Sequence, residues 1–326
     1  IEIDNIRIIR GYGLSISPVI EYRKGTGRTG TVNKARIKQK LIPYGYLSPT
    51  IILMVVFLVI PICMVVSYSF LNNAVVVKQS VFVGLDNYKK ILADSEFRGA
   101  IKHTFIFVIV SVVAHICIGM GFALMLNSEC FRTRTKSIFR VIYILPWIFT
   151  ASVIALLWKL ILQPGGIADY LFQFLPGVSK TFSWLSEGDI VLGVLTFVNI
   201  WCGYPFYMIS ILAGLQGISG DLYESAAIDG ATGLKSFIYI TSPQLRSVLL
   251  SIGLLDIIWT IQSFNIIWML TGGGPLNKTE TLSVYIYKLA FNSSQYGLAS
   301  TAAVFALIAC IILDVFYVRL QCKASD

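Results

Sequence analysis

Charge is scarce in this chain of 326 residues: Asp, Glu, Lys and Arg together make up 13% of it, about half the share of a soluble globular domain. A soluble single-core protein is thereby excluded. No charged residue occurs from Leu41 to Val77, from His103 to Ser128 or from Ile190 to Gly220, and each run exceeds the roughly 20 residues that cross a bilayer core. Histidine is nearly absent, with only His103 and His115, and no two of the six cysteines (Cys63, Cys117, Cys130, Cys202, Cys310, Cys322) have CxxC spacing. No metal site is expected from so few ligands, and the cysteines read as small apolar packing residues. A G-x-x-x-x-G-K-[ST] phosphate loop is also missing, as is any cluster of His, Asp, Glu or Cys near a membrane interface. The chain is therefore expected to be neither an ATPase nor a membrane-embedded enzyme, and no catalytic residue is assigned.

What is present is a series of apolar runs without strict alternation. A bilayer core offers the backbone no water, so spans must be helices or a closed barrel, and the pattern excludes the barrel. Six helical spans are predicted, at about 47–70, 103–127, 141–162, 190–214, 245–270 and 298–318. The third contains a short apolar run, Val141 to Trp158, that ends at Lys159, whose stem can carry its ammonium to the interface. Spans five and six each hold one acid, Asp256 and Asp314. The predicted fold is an all-α polytopic membrane protein, with a polar basic tail over 1–43, a six-helix domain over 44–320 and a short C-terminus over 321–326. The tail has no apolar h-region of a cleavable signal, so the first span is expected to be an uncleaved anchor.

If the spans alternate, seventeen of the 26 Lys and Arg fall on the side of the termini, including nine in the tail and Arg132, Arg134, Lys136 and Arg140 after span two. Eight fall on the other side, among them Lys78, Lys89, Lys90, Arg98 and Lys102. Both termini are thus expected in the cytoplasm. The net charge of +9 is largely this asymmetry, so no nucleic-acid partner is inferred.

The predicted cytoplasmic loop over 215–244 is poor in Lys and Arg and reads as structured. Asp221 with Glu224 three residues on is expected to cap a short helix. Gly230 and Gly233 interrupt it, and Thr232 opens a second helix running to Ile240, where Ser242 and Pro243 are expected to turn the chain back to the membrane. The outcome is a helix, a turn and a helix outside the bilayer.

Glu224, Ser225, Ala226, three residues, Gly230, nine residues, Ile240, then Ser242 and Pro243 resemble the EAA loop (E-A-A-x3-G-x9-I-x-L-P) of permease subunits in binding-protein-dependent ABC importers. Five of the seven positions match, with Ser225 in place of Ala and Ser242 in place of Leu. The resemblance extends over about residues 44–320. Tyr46 to Pro49, Gly84 to Tyr88, the Leu145, Pro146 pair, the Trp184, Leu185 pair and Thr271 to Pro275 are similar to the carbohydrate branch of that family, the maltose and glycerol-3-phosphate type.

The resemblance implies a type I importer permease in a bacterial or archaeal inner membrane, working with a second homologous permease, two ATPase subunits that bind ATP and Mg, and an extracytoplasmic solute-binding protein. It also implies that Glu224, Ser225, Ala226, Ala227, Gly230, Ile240 and Pro243 couple the chain to the ATPase, and that the solute is a carbohydrate, most simply an oligosaccharide, with glycerol phosphate as the alternative. A secondary transporter driven by an ion gradient would need internal repeats and acidic relays at midplane, for which Asp256 alone is thin support.

A sugar path calls for aromatic faces and neutral amides, which stack on and hydrogen-bond to hydroxyls without burying a charge. On a regular helix Trp259, Gln262 and Asn265 fall within a sector of about 120°. Asn199 and Tyr204, the latter beside Pro205, are the candidates in span four. The same residue types also serve as interhelical glue, and both readings stand at this level. His115 reads as a hydrogen-bonded core residue, and Asp256 as a partner for a neighbouring helix or a solute.

Overall fold

The computed structural model describes residues 44–72, 80–128, 131–173 and 182–325. The basic tail 1–43, Cys130 and Lys180 lie outside the described residues. The chain divides into two units after Ile60. In the first, residues 44–60 are helical with a π turn at Val55–Val59, and every residue from Ile51 to Ile60 is exposed. They belong to the first candidate span, α1, Tyr44–Ser69.

The described residues of the second unit are mostly helical, with a short antiparallel hairpin of Leu71–Asn72 and Val81–Phe82. Its helices in chain order are α2 (Asp86–Ala93), α3 (Ser95–Asn127), α4 (Thr133–Ile148), α5 (Ala151–Leu162), α6 (Ile167–Phe172), α7 (Val191–Gln216), α8 (Gly220–Ile228), α9 (Gly233–Ile261), α10 (Asn265–Thr271), α11 (Leu282–Tyr287) and α12 (Tyr296–Ser325). α1, α3, α7, α9 and α12 are each long and apolar enough to cross a membrane. The pair α4 and α5 passes the same test only when the two are joined, across a bend of 96°, so the count is five spans, or six with that pair taken as one.

Three of the predicted spans differ in their course. Span two begins at Ser95 rather than 103, because Asp94 accepts from Glu96 N (2.9 Å) and caps a longer helix. Span three breaks at Phe149 and Thr150, which are extended. Pro146 removes a donor near the end of α4, and Thr150 Oγ1 accepts from Val153 N (3.5 Å) to start α5. Span five ends at Ile261 instead of running to 270. The carbonyl of Ser263 accepts from Ser283 Oγ (2.8 Å) of α11, so a tertiary partner replaces the helical one.

Lipid is as apolar as leucine, so these helices are held together by close packing and hydrogen bonds more than by exclusion of water. Phe107, Leu195 and Ile267 fill the space between α3, α7 and α10, while Ala123, Tyr207, Ile211 and Leu245 join α3, α7 and α9. Ile91, Phe97, Leu282, Tyr285 and Ala302 knit α2, α3, α11 and α12.

Outside the spans, the segment around α6 is organised by one carboxylate. Asp169, 2% exposed, accepts from Gly165 N (2.7 Å), Trp184 Nε1 (2.7 Å) and Phe182 N (3.3 Å). The Gly165 N–H, followed by the indole and Phe182 donors, outweighs burial and holds the Asp169 carboxyl below its ordinary range. A depressed acid stabilises the fold above the ordinary carboxylate pKa, and that contribution is lost as pH falls through the folded-state value. Asp169→Asn is accordingly expected to lower the melting temperature of the purified protein at neutral pH and to flatten its acid limb below about pH 4. Thermal melts over that range would count against this role if both proteins gave the same acid limb.

Candidate functional site

Among the described residues, those singled out from the sequence gather at two places, one at each end of α9. The first is a cavity of about 280 Å³ lined by His115 of α3, Asn199 and Gly203 of α7, Asp256, Trp259 and Thr260 of α9, and Gln262 to Ile266 at the α9–α10 break. Trp259, Gln262, Asn265 and Asn199, all expected from sequence, meet here. They do not meet on one regular helix, because α9 ends at Ile261 and Asn265 opens α10. The break itself brings Gln262 and Asn265 to the cavity.

Tyr204 is not among the lining residues. It is buried, and its ring packs on Phe122 with centroids 5.3 Å apart.

The cavity wall holds a polar cluster that joins three helices. His115 Nδ1 lies 2.8 Å from Asp256 Oδ2, and His115 Nε2 lies 3.2 Å from the Asn199 carbonyl. Tyr207 OH donates to Asp256 Oδ2 (3.0 Å) and Thr260 Oγ1 to Asp256 Oδ1 (3.1 Å). Gly203 makes room for the ring, since a Cβ there would lie 2.3 Å from His115 Nε2. Asn199 Nδ2 is buried without a partner. Singly, His115 and Asp256 look like ordinary buried polar residues in the sequence, and 141 residues separate them. Their one visible signal was that each is ionisable at membrane depth.

The second place is the segment joining α7 to α9. Its first helix starts earlier than expected: the N-cap is Ser219, whose Oγ accepts from Asp221 N (3.3 Å), and Asp221 lies in the first turn. Asp221 is displaced as cap because the hydroxyl two residues earlier already takes its N–H. The helix closes with paired bonds, Ala231 N to Ala226 O (2.9 Å) and Gly230 N to Ala227 O (3.1 Å), around Gly230 at φ +75°. This is a Schellman motif with glycine at the left-handed position. A Cβ at Gly230 would meet nothing within 4 Å, so backbone conformation rather than crowding is what requires glycine.

Thr232 is the N-cap of the next helix, as expected. Ser242 and Pro243, however, make no turn. α9 runs through them to Ile261, because a π turn at Phe237–Thr241, closed by Ser242 N on Phe237 O, changes the ladder register just ahead of Pro243, which has no N–H to give. Tyr223 OH and Thr241 Oγ1, 2.9 Å apart, pin α8 to α9.

Glu224, Ser225, Ala227, Gly230 and Pro243 are exposed, and Ala226 and Ile240 are half-buried. Glu224 has no hydrogen-bond or ion-pair partner among the described residues. In the same segment Ile228 (87% exposed), Leu234 (70%) and Tyr239 (77%) are large apolar side chains that the other described residues leave uncovered. Their only mark in the sequence was large apolar side chains in an otherwise polar loop.

A family described as the binding-protein-dependent transport system inner membrane component matches residues 115–325, a stretch that contains both places. The chain belongs to this family. It is therefore an inner membrane transport component and not an enzyme. Among relatives of known name, it is 33% identical to the probable ABC transporter permease protein y4oQ of Sinorhizobium fredii, over 83% of this chain and 86% of that protein. It is 30% identical to the trehalose/maltose transport system permease protein MalF of Thermococcus litoralis, over 88% of this chain and 96% of that one. A crystal structure of a bacterial ABC transporter that imports the acidic polysaccharide alginate contains a chain of the same fold, with a TM-score of 0.78 at 23% identity, covering 90% of this chain and all of that one.

Proposed function

We propose that the chain forms half of the translocation path of an ATP-driven importer for a carbohydrate, most simply an oligosaccharide, handed over by a solute-binding protein. One observation carries this reading. α9 is an unbroken helix of 29 residues, about 40 Å long at 1.5 Å per residue, that starts at the α8 turn and ends at the cavity. Packed helices shift as units between discrete arrangements, so a movement imposed on α8 at one end reaches the cavity wall at the other.

In this reading the α8 segment faces the cytoplasm, as do both termini. Glu224, Ser225, Ala226, Ala227, Gly230, Ile240 and Pro243 belong to the surface and the frame that engage an ATPase. ATP and Mg are bound by that separate protein, present in two copies, and a second homologous permease supplies the other half of the path. Trp259, Gln262, Asn265 and Asn199 form the solute wall. Trp259, 51% exposed, offers an aromatic face, and the amides offer donors and acceptors without net charge. Tyr204, packed on Phe122, stands outside this wall.

Reconstitution into vesicles tests this. Uptake is expected to require the binding protein, the ATPase and the second permease together. Trp259→Ala and Gln262→Ala are expected to keep the ATPase bound while lowering uptake or changing solute preference. Uptake by this chain without an ATPase, driven by an imposed ion gradient, would overturn the reading.

A further inference from the structure

We propose that α6 lies in the surface of the bilayer, an interfacial anchor whose apolar face enters the boundary between lipid headgroups and acyl chains on the side of the membrane opposite α8. The two helices take opposite sides because α7, long and apolar enough to cross, runs between them. The inference holds whatever the solute is, and it rests on α7 and the α4–α5 pair lying in the membrane.

The depth of α6 follows from the helix it leaves. α5 exposes Val153, Leu156, Leu157 and Leu160, which stand at i, i+3, i+4 and i+7 and form one apolar stripe. Lys159 is exposed in its last turn, a basic side chain at the end of an apolar helix, from where its ammonium reaches the lipid phosphates. α6 does not project away from this end. Gly166, its N-cap, packs so closely on the end of α5 that a Cβ there would lie 2.7 Å from the Ile161 carbonyl oxygen and 2.9 Å from that of Leu160. α6 therefore starts against the turn that holds Lys159.

Its faces suit that level. At 100° per residue Ile167, Tyr170 and Leu171 fall within a sector of about 100°, and each is about three-fifths exposed. Asp169 lies about 150° from the middle of that sector and is buried, bonded to Gly165 N, Phe182 N and Trp184 Nε1. It is the only charged residue between Lys159 and Lys180, so the single charge of this stretch is spent inward and the outward sector carries none. A transient protein partner docks on a face about as polar as the rest of a surface, whereas isoleucine, tyrosine and leucine beside a lysine are suited to a membrane interface. The Asp169 bonds fix the roll of α6 so that this sector points away from the protein.

The test uses the whole importer, freed of native cysteines, in phospholipid nanodiscs. A nitroxide is attached at Ile167→Cys, at Leu171→Cys or, outside the sector, at Gln173→Cys, which is also an exposed position. At the first two, collisions with oxygen are expected to exceed those with a water-soluble nickel chelate, at a depth of about 5–10 Å, and at Gln173→Cys the order is expected to reverse. Greater access of nickel at Ile167→Cys and Leu171→Cys would place the sector in water. Protection from both reagents, whether by the second permease or on addition of the solute-binding protein, would place it against protein. Equal ratios at all three positions would mean that no one face is turned to lipid. Each of these results would overturn the inference while leaving the importer reading intact. If the cysteine-free importer fails to assemble, the unaltered importer is irradiated with a phospholipid that carries a diazirine at headgroup level. Adducts are expected on residues 167–171, and labelling of the α5 stripe with none on α6 would equally overturn the inference.

Discussion

Glu224→Lys is expected to release the ATPase from the purified importer and to abolish uptake, while the chain still inserts and folds. The side chain is exposed and has no partner of its own among the described residues, so the change removes nothing from the fold. It does place a cation in the segment that exposes Ile228, Leu234 and Tyr239, where the proposed coupling has a carboxylate meet a basic group of the ATPase. Like charges meeting at a partly buried interface cost several kcal/mol, on the order of a thousandfold in affinity.

Gly230→Val should reach the same phenotype by another route. At φ +75° a β-branched residue is strained, and relaxing it opens the Schellman closure that aims α8. The measurement is co-purification with the ATPase, beside ATP hydrolysis stimulated by the binding protein. Wild-type assembly and uptake in Glu224→Lys would show that this surface does not engage the ATPase.

The second large effect is expected at Gly203. Alanine there would put a methyl 2.3 Å from His115 Nε2 and 2.4 Å from Cε1. An imidazole ring cannot fold away as a flexible chain end can, so either α3 and α7 separate or the ring leaves its site. In both cases Asp256 is left buried with one hydrogen-bond partner fewer, which costs about 1–3 kcal/mol. Gly203→Ala should therefore melt well below the wild type and lose uptake, while α8, a separate helix beyond the end of α7, is unaltered and is expected to retain its affinity for the ATPase. A wild-type melting temperature for Gly203→Ala would mean that the helices yield there and that the polar cluster contributes little.

Much of this molecule is legible in its sequence because lipid imposes a simple rule on long uncharged runs. The spans follow from that rule, and the EAA-like spacing from Glu224 to Pro243 pointed to the family. The breaks were hidden because each is made by partners far along the chain. Ser283 ends span five by bonding Ser263, and nothing local to Gln262 announces it. The cavity shared this fate. Trp259, Gln262, Asn265 and Asn199 are residue types suited to a sugar, but what places them together is the break at Ile261 and a pairing of His115 with Asp256 that no local pattern encodes. Pro243 misled for the opposite reason: it is a strong local breaker, and the wider turn ahead of it absorbs the missing donor.

That wider turn at Phe237–Thr241 also sets an angular phase. A π turn holds one residue more than a regular turn, so the faces of α9 on either side of it are offset by about 100° from where an uninterrupted α-helix would put them. Thr241 is the last residue of the turn and also the residue that grips Tyr223. Deleting a single residue between Phe237 and Ile240 would preserve every side chain of the cavity and of α8, yet rotate one set against the other like a key cut correctly and mounted askew.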